Sequence, residues 1–245
     1  MIARYFSGWG TALVALAGLL AAPISGSQLI PLAFTTAFTV GLGAEAHVRL
    51  HRRFGPLRGR LHEGYWIAPA LTALAAALAA GRSEAIATRI VPFVGALLVG
   101  ALLVAQDREL DGHPEERWTP LAFALVLYLA AFTLFVVIYS SRLPVALAAL
   151  ANGGCALLVG SALFRPSGAQ RPRIWLLAAL TGLCVAELTI VLSFWIVSGL
   201  VGGSFLLLYF YVSAGLIQAL LDGSLDIDSE PGRGTRVDVS LPCGS

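Results

Sequence analysis

Glu187 is the residue of this sequence best placed to do chemistry. It stands within "IWLLAALTGLCVAELTIVLSFWIV", an apolar run that starts at Ile174. Thirteen residues separate the two, which is about 20 Å of helix. An ionisable side chain at that depth is costly in hydrocarbon and marks a functional candidate. Asn152 lies 12 residues before the end of the preceding apolar run, at Phe164, and Tyr209 lies 12 before the end of the following one, at Leu221. Each is then about 18 Å deep. Three polar side chains on successive segments thus fall at one level. The expectation is a polar cluster in a bundle interior, with desolvation favouring the neutral acid at Glu187. Its chemistry would be a proton relay or a small polar-ligand site. Interhelical hydrogen bonding that fixes the packing accounts for the same residue types.

Small residues flank this level. Ala178, Gly182 and Ala186 recur every four residues, and Gly153 and Gly154 adjoin Asn152. Such spacing lets helices approach closely. In "GLGAEAHVRLHRR", Glu45 and Arg49 are spaced for a helix ion pair, and His47 and His51 share a face. With no third ligand at fixed spacing, a metal site is not expected. Cys155 and Cys184 lie in apolar runs and Cys243 in the tail, without C-x-x-C spacing, so the first two read as small apolar packers. There is no P-loop, G-x-G-x-x-G, G-x-S-x-G or H-E-x-x-H. No catalytic residue, cofactor or metal is assigned, and nothing supports an enzyme.

The elements that position these residues follow from composition. Of 245 residues, 58% are hydrophobic and 12% charged, against about 25% charged in a soluble domain. A net charge of +2 is too small to argue for nucleic acid. Eight apolar segments span about 6–24, 29–48, 65–81, 90–106, 119–140, 143–164, 174–197 and 203–221. Backbone polar groups cannot be left bare in lipid, so these runs should be helices. About 20 residues cross the hydrocarbon, which makes the third and fourth segments short. Pro31, Pro92, Pro120 and Pro144 fall in expected first turns, where the missing N–H costs nothing. Trp9, Trp66, Trp118, Trp175 and Trp195 lie near segment ends, as interfacial aromatics do. The fold class expected is an all-α integral membrane protein, a bundle of about eight transmembrane helices over 1–221. A short hairpin-like or disordered tail, 222–245, follows.

The arginines orient it. Arg4, Arg49, Arg52, Arg53, Arg58, Arg60, Arg108, Arg117, Arg165, Arg171 and Arg173 fall on one side, and Arg82, Arg89 and Arg142 on the other. The positive-inside rule then places both termini in the cytoplasm of an inner (plasma) membrane. The basic loop 49–60 would attract anionic lipid headgroups. The opening resembles a cleavable signal peptide in having a charged start, an apolar core and small residues near its end. The next helix begins almost at once, so a retained anchor is the reading adopted. "SGSQ", "SSR" and "SGLVGG" are short links, so helices 1–2, 5–6 and 7–8 should pair. "SQLIPLAF" loosely echoes "SRLPVALA", a hint of two four-helix halves.

The stretch from Arg173 to Asp222, including "AELTIVLSFWIVSGLVGGSFLLLYFYVSAGLIQALL", resembles the end of an uncharacterised bacterial polytopic membrane family. That likeness implies no activity. The tail "GSLDIDSEPGRGTRVDVSLP" is similar to the last hairpin of the ATP-binding domain of sensor histidine kinases. The match includes the Ser-Glu-Pro-Gly turn, Gly232-Arg233-Gly234-Thr235 and a closing Leu-Pro. The phosphoacceptor histidine helix, the Asn-bearing helix and the Asp-x-Gly-x-Gly adenine site of that family are missing, so ATP binding is not expected. The tail reads as a fused or truncated gene end, or as a strand pair for another protein's sheet edge. Three function classes stay open. They are a sensor or scaffold subunit, a small-molecule or proton-coupled transporter using Glu187, and a truncated sensor kinase.

Overall fold

A computed structural model describes residues 2–21, 28–54, 64–82, 87–110, 118–165, 171–195, 197–221, 225–230 and 234–239. Among the described residues the chain forms eight helices: α1 (Ile2–Ala21), α2 (Leu29–Phe54), α3 (Ile67–Ala80), α4 (Ala87–Leu110), α5 (Trp118–Ser140), α6 (Val145–Phe164), α7 (Arg171–Ser193) and α8 (Gly199–Leu221). A hairpin of β1 (Leu225–Glu230) and β2 (Gly234–Val239) follows. Its antiparallel register sets Leu225 opposite Val239 and Glu230 opposite Gly234. Residues 231–233, between the strands, lie outside the described residues.

Proline places most of the helix starts. Pro31, Pro69 and Pro120 sit in first turns, and Pro144 immediately precedes α6. Pro92 departs from expectation. The helix begins before the apolar run, at Ala87, which leaves Pro92 inside α4. There its ring removes one intrahelical hydrogen bond. Helix also continues past the hydrocarbon boundary elsewhere. Arg49, Arg52 and Arg53, expected in a loop, lie on the last turns of α2. Arg58 and Arg60 lie outside the described residues.

Among the described residues five helices are long and apolar enough to cross a membrane, in α2, α5, α6, α7 and α8. The apolar stretches Ile67–Ala80 of α3 and Ile90–Gln106 of α4 are shorter. The 14 residues of α3 rise about 21 Å, against about 30 Å of hydrocarbon. The packing is compatible with a bilayer protein. Large apolar side chains such as Leu97, Leu150 and Phe194 face outward, while alanines of α3 (Ala68, Ala73, Ala77, Ala80) are sealed inside. Trp66, Trp175 and Trp195 are exposed.

The helices close two rings, each in chain order. α1 to α4 form one, completed where α4 returns to α1; α5 to α8 form the other, completed where α8 returns to α5. α3 lies at the seam, against both α5 and α6. The expected neighbours α1–α2, α5–α6 and α7–α8 are in contact. The largest core cluster joins α3 to the second ring through Leu71, Leu134, Phe135, Val159 and Phe210.

Candidate functional site

The face of α7 turned to α6 is made of small residues. A Cβ at Gly153 would stand 2.8 Å from the Gly182 carbonyl oxygen and 2.9 Å from the Ala186 Cβ. A Cβ at Gly182 would stand 2.6 Å from the Gly153 carbonyl oxygen. The two backbones therefore meet, and only glycine fits at the crossing. Ala178 continues this face against Gly160. Gly154 does not share it. It is turned about 100° from Gly153, is exposed, and has open space where a Cβ would stand.

Asn152 is fully buried at this interface. Its Nδ2 donates to Thr189 Oγ1 at 3.3 Å. The Thr189 hydroxyl in turn donates to the Val185 carbonyl at 2.8 Å. Asn152 Oδ1 is buried without a hydrogen-bond partner among the described residues. This polar pair is enclosed by packed side chains and backbone.

Glu187 is elsewhere. One residue past Ala186, it is rotated about 100° away from α6 and lies on the outward face. Tyr209 of α8 is also outward, at 42% exposure. Tyr209 stands beside Cys184, and Glu187 lies within electrostatic reach of Tyr209. The structure thus brings Glu187 and Tyr209 together but separates both from Asn152. The expected interior cluster of all three is not formed. Depth alone had grouped them; rotation about α6 and α7 divides them. The result is a carboxyl, a phenol and a thiol on a largely apolar outer surface. Such a patch can donate and accept hydrogen bonds.

Elsewhere, Arg49 Nε donates to Glu45 Oε1 at 3.0 Å, as their spacing predicts. His47 is buried. Among the described residues no group of three or more His, Cys, Asp or Glu is placed to hold a metal ion.

Two arginines that the sequence offered only as topology markers tie the rings together. At one end of α3, the Arg165 guanidinium stacks over the Tyr65 ring at 3.7 Å, with the Phe123 ring at 5.8 Å. Gln106 donates to the Tyr65 carbonyl at 2.8 Å. At the other end, Arg82 donates to the Val137 carbonyl at 2.6 Å and to Ser141 Oγ at 2.8 Å. The Val137 contact sets a cation on a carbonyl in the last turn of α5, where the helix dipole favours it. No sequence signal set these two apart, since Arg49, Arg108 and Arg142 also follow an apolar run within two residues.

Residues 10–228 match the model of a family described as "Protein of unknown function (DUF5656)", and the chain belongs to that family. No curated protein and no solved structure matches it.

Proposed function

We propose that this DUF5656 member is a multi-pass protein of the bacterial inner membrane, with eight crossings and cytoplasmic termini, that serves as an assembly subunit of a sensory or scaffolding complex. The outward face of α7 and α8 is its docking face. The observation that carries this reading is the placement of Glu187 on that face, within the apolar length Pro172–Ser193 of α7 and beside Tyr209 and Cys184. A carboxyl group there meets hydrocarbon, which offers no hydrogen bonds, unless another protein covers it. The inward side is already occupied by the Gly153–Gly182 contact and the Asn152–Thr189 pair. The partner that fits is a transmembrane helix presenting a cationic or amide donor at the same depth.

The arginine distribution supports the orientation. The shortness of α3 does not weigh against eight crossings, because most of its side chains are buried by neighbouring helices rather than by lipid. A transporter built on Glu187 needs that acid in a water-filled cavity, and its outward placement favours docking instead. The kinase-like tail supports a signalling partner.

A photo-crosslinking residue in place of Leu183, exposed one turn from Glu187, tests this in cells. A discrete protein adduct is expected, lost on Glu187→Leu. The same probe at Leu97, exposed on α4, should give none. Adducts of equal intensity with and without the Glu187 carboxyl, or lipid adducts alone, would reject the docking face.

A further inference from the structure

The first ring carries a different feature. A groove of about 550 Å³ runs between α2 and α3, with Leu158 of α6 on its far wall. One side is a stripe of Phe34, Phe38 and Leu42, spaced four apart and so on one helix face. The floor is low because Gly41 has no side chain and lies against Ala70 and Trp66. The groove is apolar along this length and polar at one end, where Glu45, Arg49 and Trp66 line it. From Phe34 to Arg49 is 15 residues, or about 22 Å of helix. That exceeds one leaflet of hydrocarbon, about 15 Å.

The polar end is half satisfied. Arg49 Nε occupies Glu45 Oε1, while Glu45 Oε2 is buried and has no hydrogen-bond partner among the described residues. The Arg49 side chain is 74% exposed against 23% for Glu45. The rest of its guanidinium therefore extends past the carboxylate. An occupant that completes this end needs an apolar chain, a cationic N–H donor for Glu45 and an anionic acceptor for Arg49. The exposed Trp66 at the mouth suits the headgroup level of a bilayer.

We infer that the groove holds a phospholipid whose headgroup carries both a phosphate and a primary ammonium, as phosphatidylethanolamine does. Its phosphate meets Arg49, its ammonium meets the Glu45 carboxylate at the groove end, and one acyl chain lies along Phe34, Phe38 and Leu42. A choline headgroup has the phosphate but no N–H. A glycerol headgroup has the phosphate but no cation.

The test is native mass spectrometry of the full-length protein released from bilayer discs holding equal amounts of chain-matched ethanolamine, choline and glycerol phospholipids. Ethanolamine lipid should be retained about tenfold or more over choline lipid, the low end for one hydrogen bond to a charged group. Glu45→Gln should remove that preference while lipid binding persists. Arg49→Gln should weaken all three lipids alike. Equal retention of ethanolamine and choline lipids, a preference unchanged in Glu45→Gln, or stronger retention of glycerol lipid would each overturn the inference. The last result would mean attraction of anionic lipid by a basic surface.

Discussion

The two four-helix rings share a connectivity but differ in how they treat polar groups. In the second ring, α6 and α7 meet backbone to backbone at Gly153 and Gly182. At that contact the polar side chains turned inward are Asn152 and Thr189, and Glu187 is turned outward. In the first ring, a groove runs along α2 and α3, and the acid there, Glu45, stands at its mouth. The glycine crossing thus leaves a polar group on the outer surface, where a protein helix could cover it. The groove leaves one at its end, where a lipid headgroup could reach it.

The sharpest way to break this contrast is to prevent the close contact. Gly182→Leu places side-chain atoms where the Gly153 carbonyl stands and should destabilise the protein by about 3 kcal/mol or more, read by thermal unfolding in detergent. Gly154→Leu, on the same helix as Gly153 but outward, should change the midpoint little. If both variants were equally stable, the α6–α7 contact would not be what turns Glu187 outward.

The next effect concerns the seam between rings. Arg82→Gln removes the contacts to Val137 and Ser141. It should lower stability by about 1 kcal/mol and raise protease cleavage between the rings before either ring unfolds. A single cooperative loss at the wild-type temperature would show that the clasp does not couple them.

A smaller effect is expected inside the second ring. Replacing both Asn152 and Thr189 by Leu and Val should cost less than about 1 kcal/mol, since interhelical hydrogen bonds in membranes average about 0.6 kcal/mol. It should leave the Leu183 crosslink intact. Loss of the crosslink in that double variant would mean that the interior pair and the outward patch act as one unit after all.

Much of the architecture was legible in the sequence because hydrocarbon imposes simple rules. Apolar length gave the helix positions, and the short outer links gave the neighbours α1–α2, α5–α6 and α7–α8. Proline at Pro31, Pro120 and Pro144 gave the starts. Pro92 misled, because α4 begins on the polar side of the interface, where hydropathy carries no signal. The candidate site was legible in depth but not in direction. α7 is apolar around its whole circumference, so no polar face fixes its rotation, and only the partner backbone decides it. The Gly182–Ala186 spacing held that information. Glu187, adjacent to Ala186, could not lie on the same face. The groove was illegible for a related reason: it depends on Gly41 meeting Ala70, two residues 29 positions apart.

The central claim is that Glu187 faces out of the bundle within the bilayer. A lipid-soluble carbodiimide, which modifies carboxyl groups in an apolar setting, tests it on the purified protein in lipid discs. Peptide mapping should find an adduct at Glu187 with the lipid-soluble reagent and none with a water-soluble one. Absence of modification by either would mean a buried Glu187. Modification by the water-soluble reagent would mean a hydrated cavity, and would return the acid to a transport role.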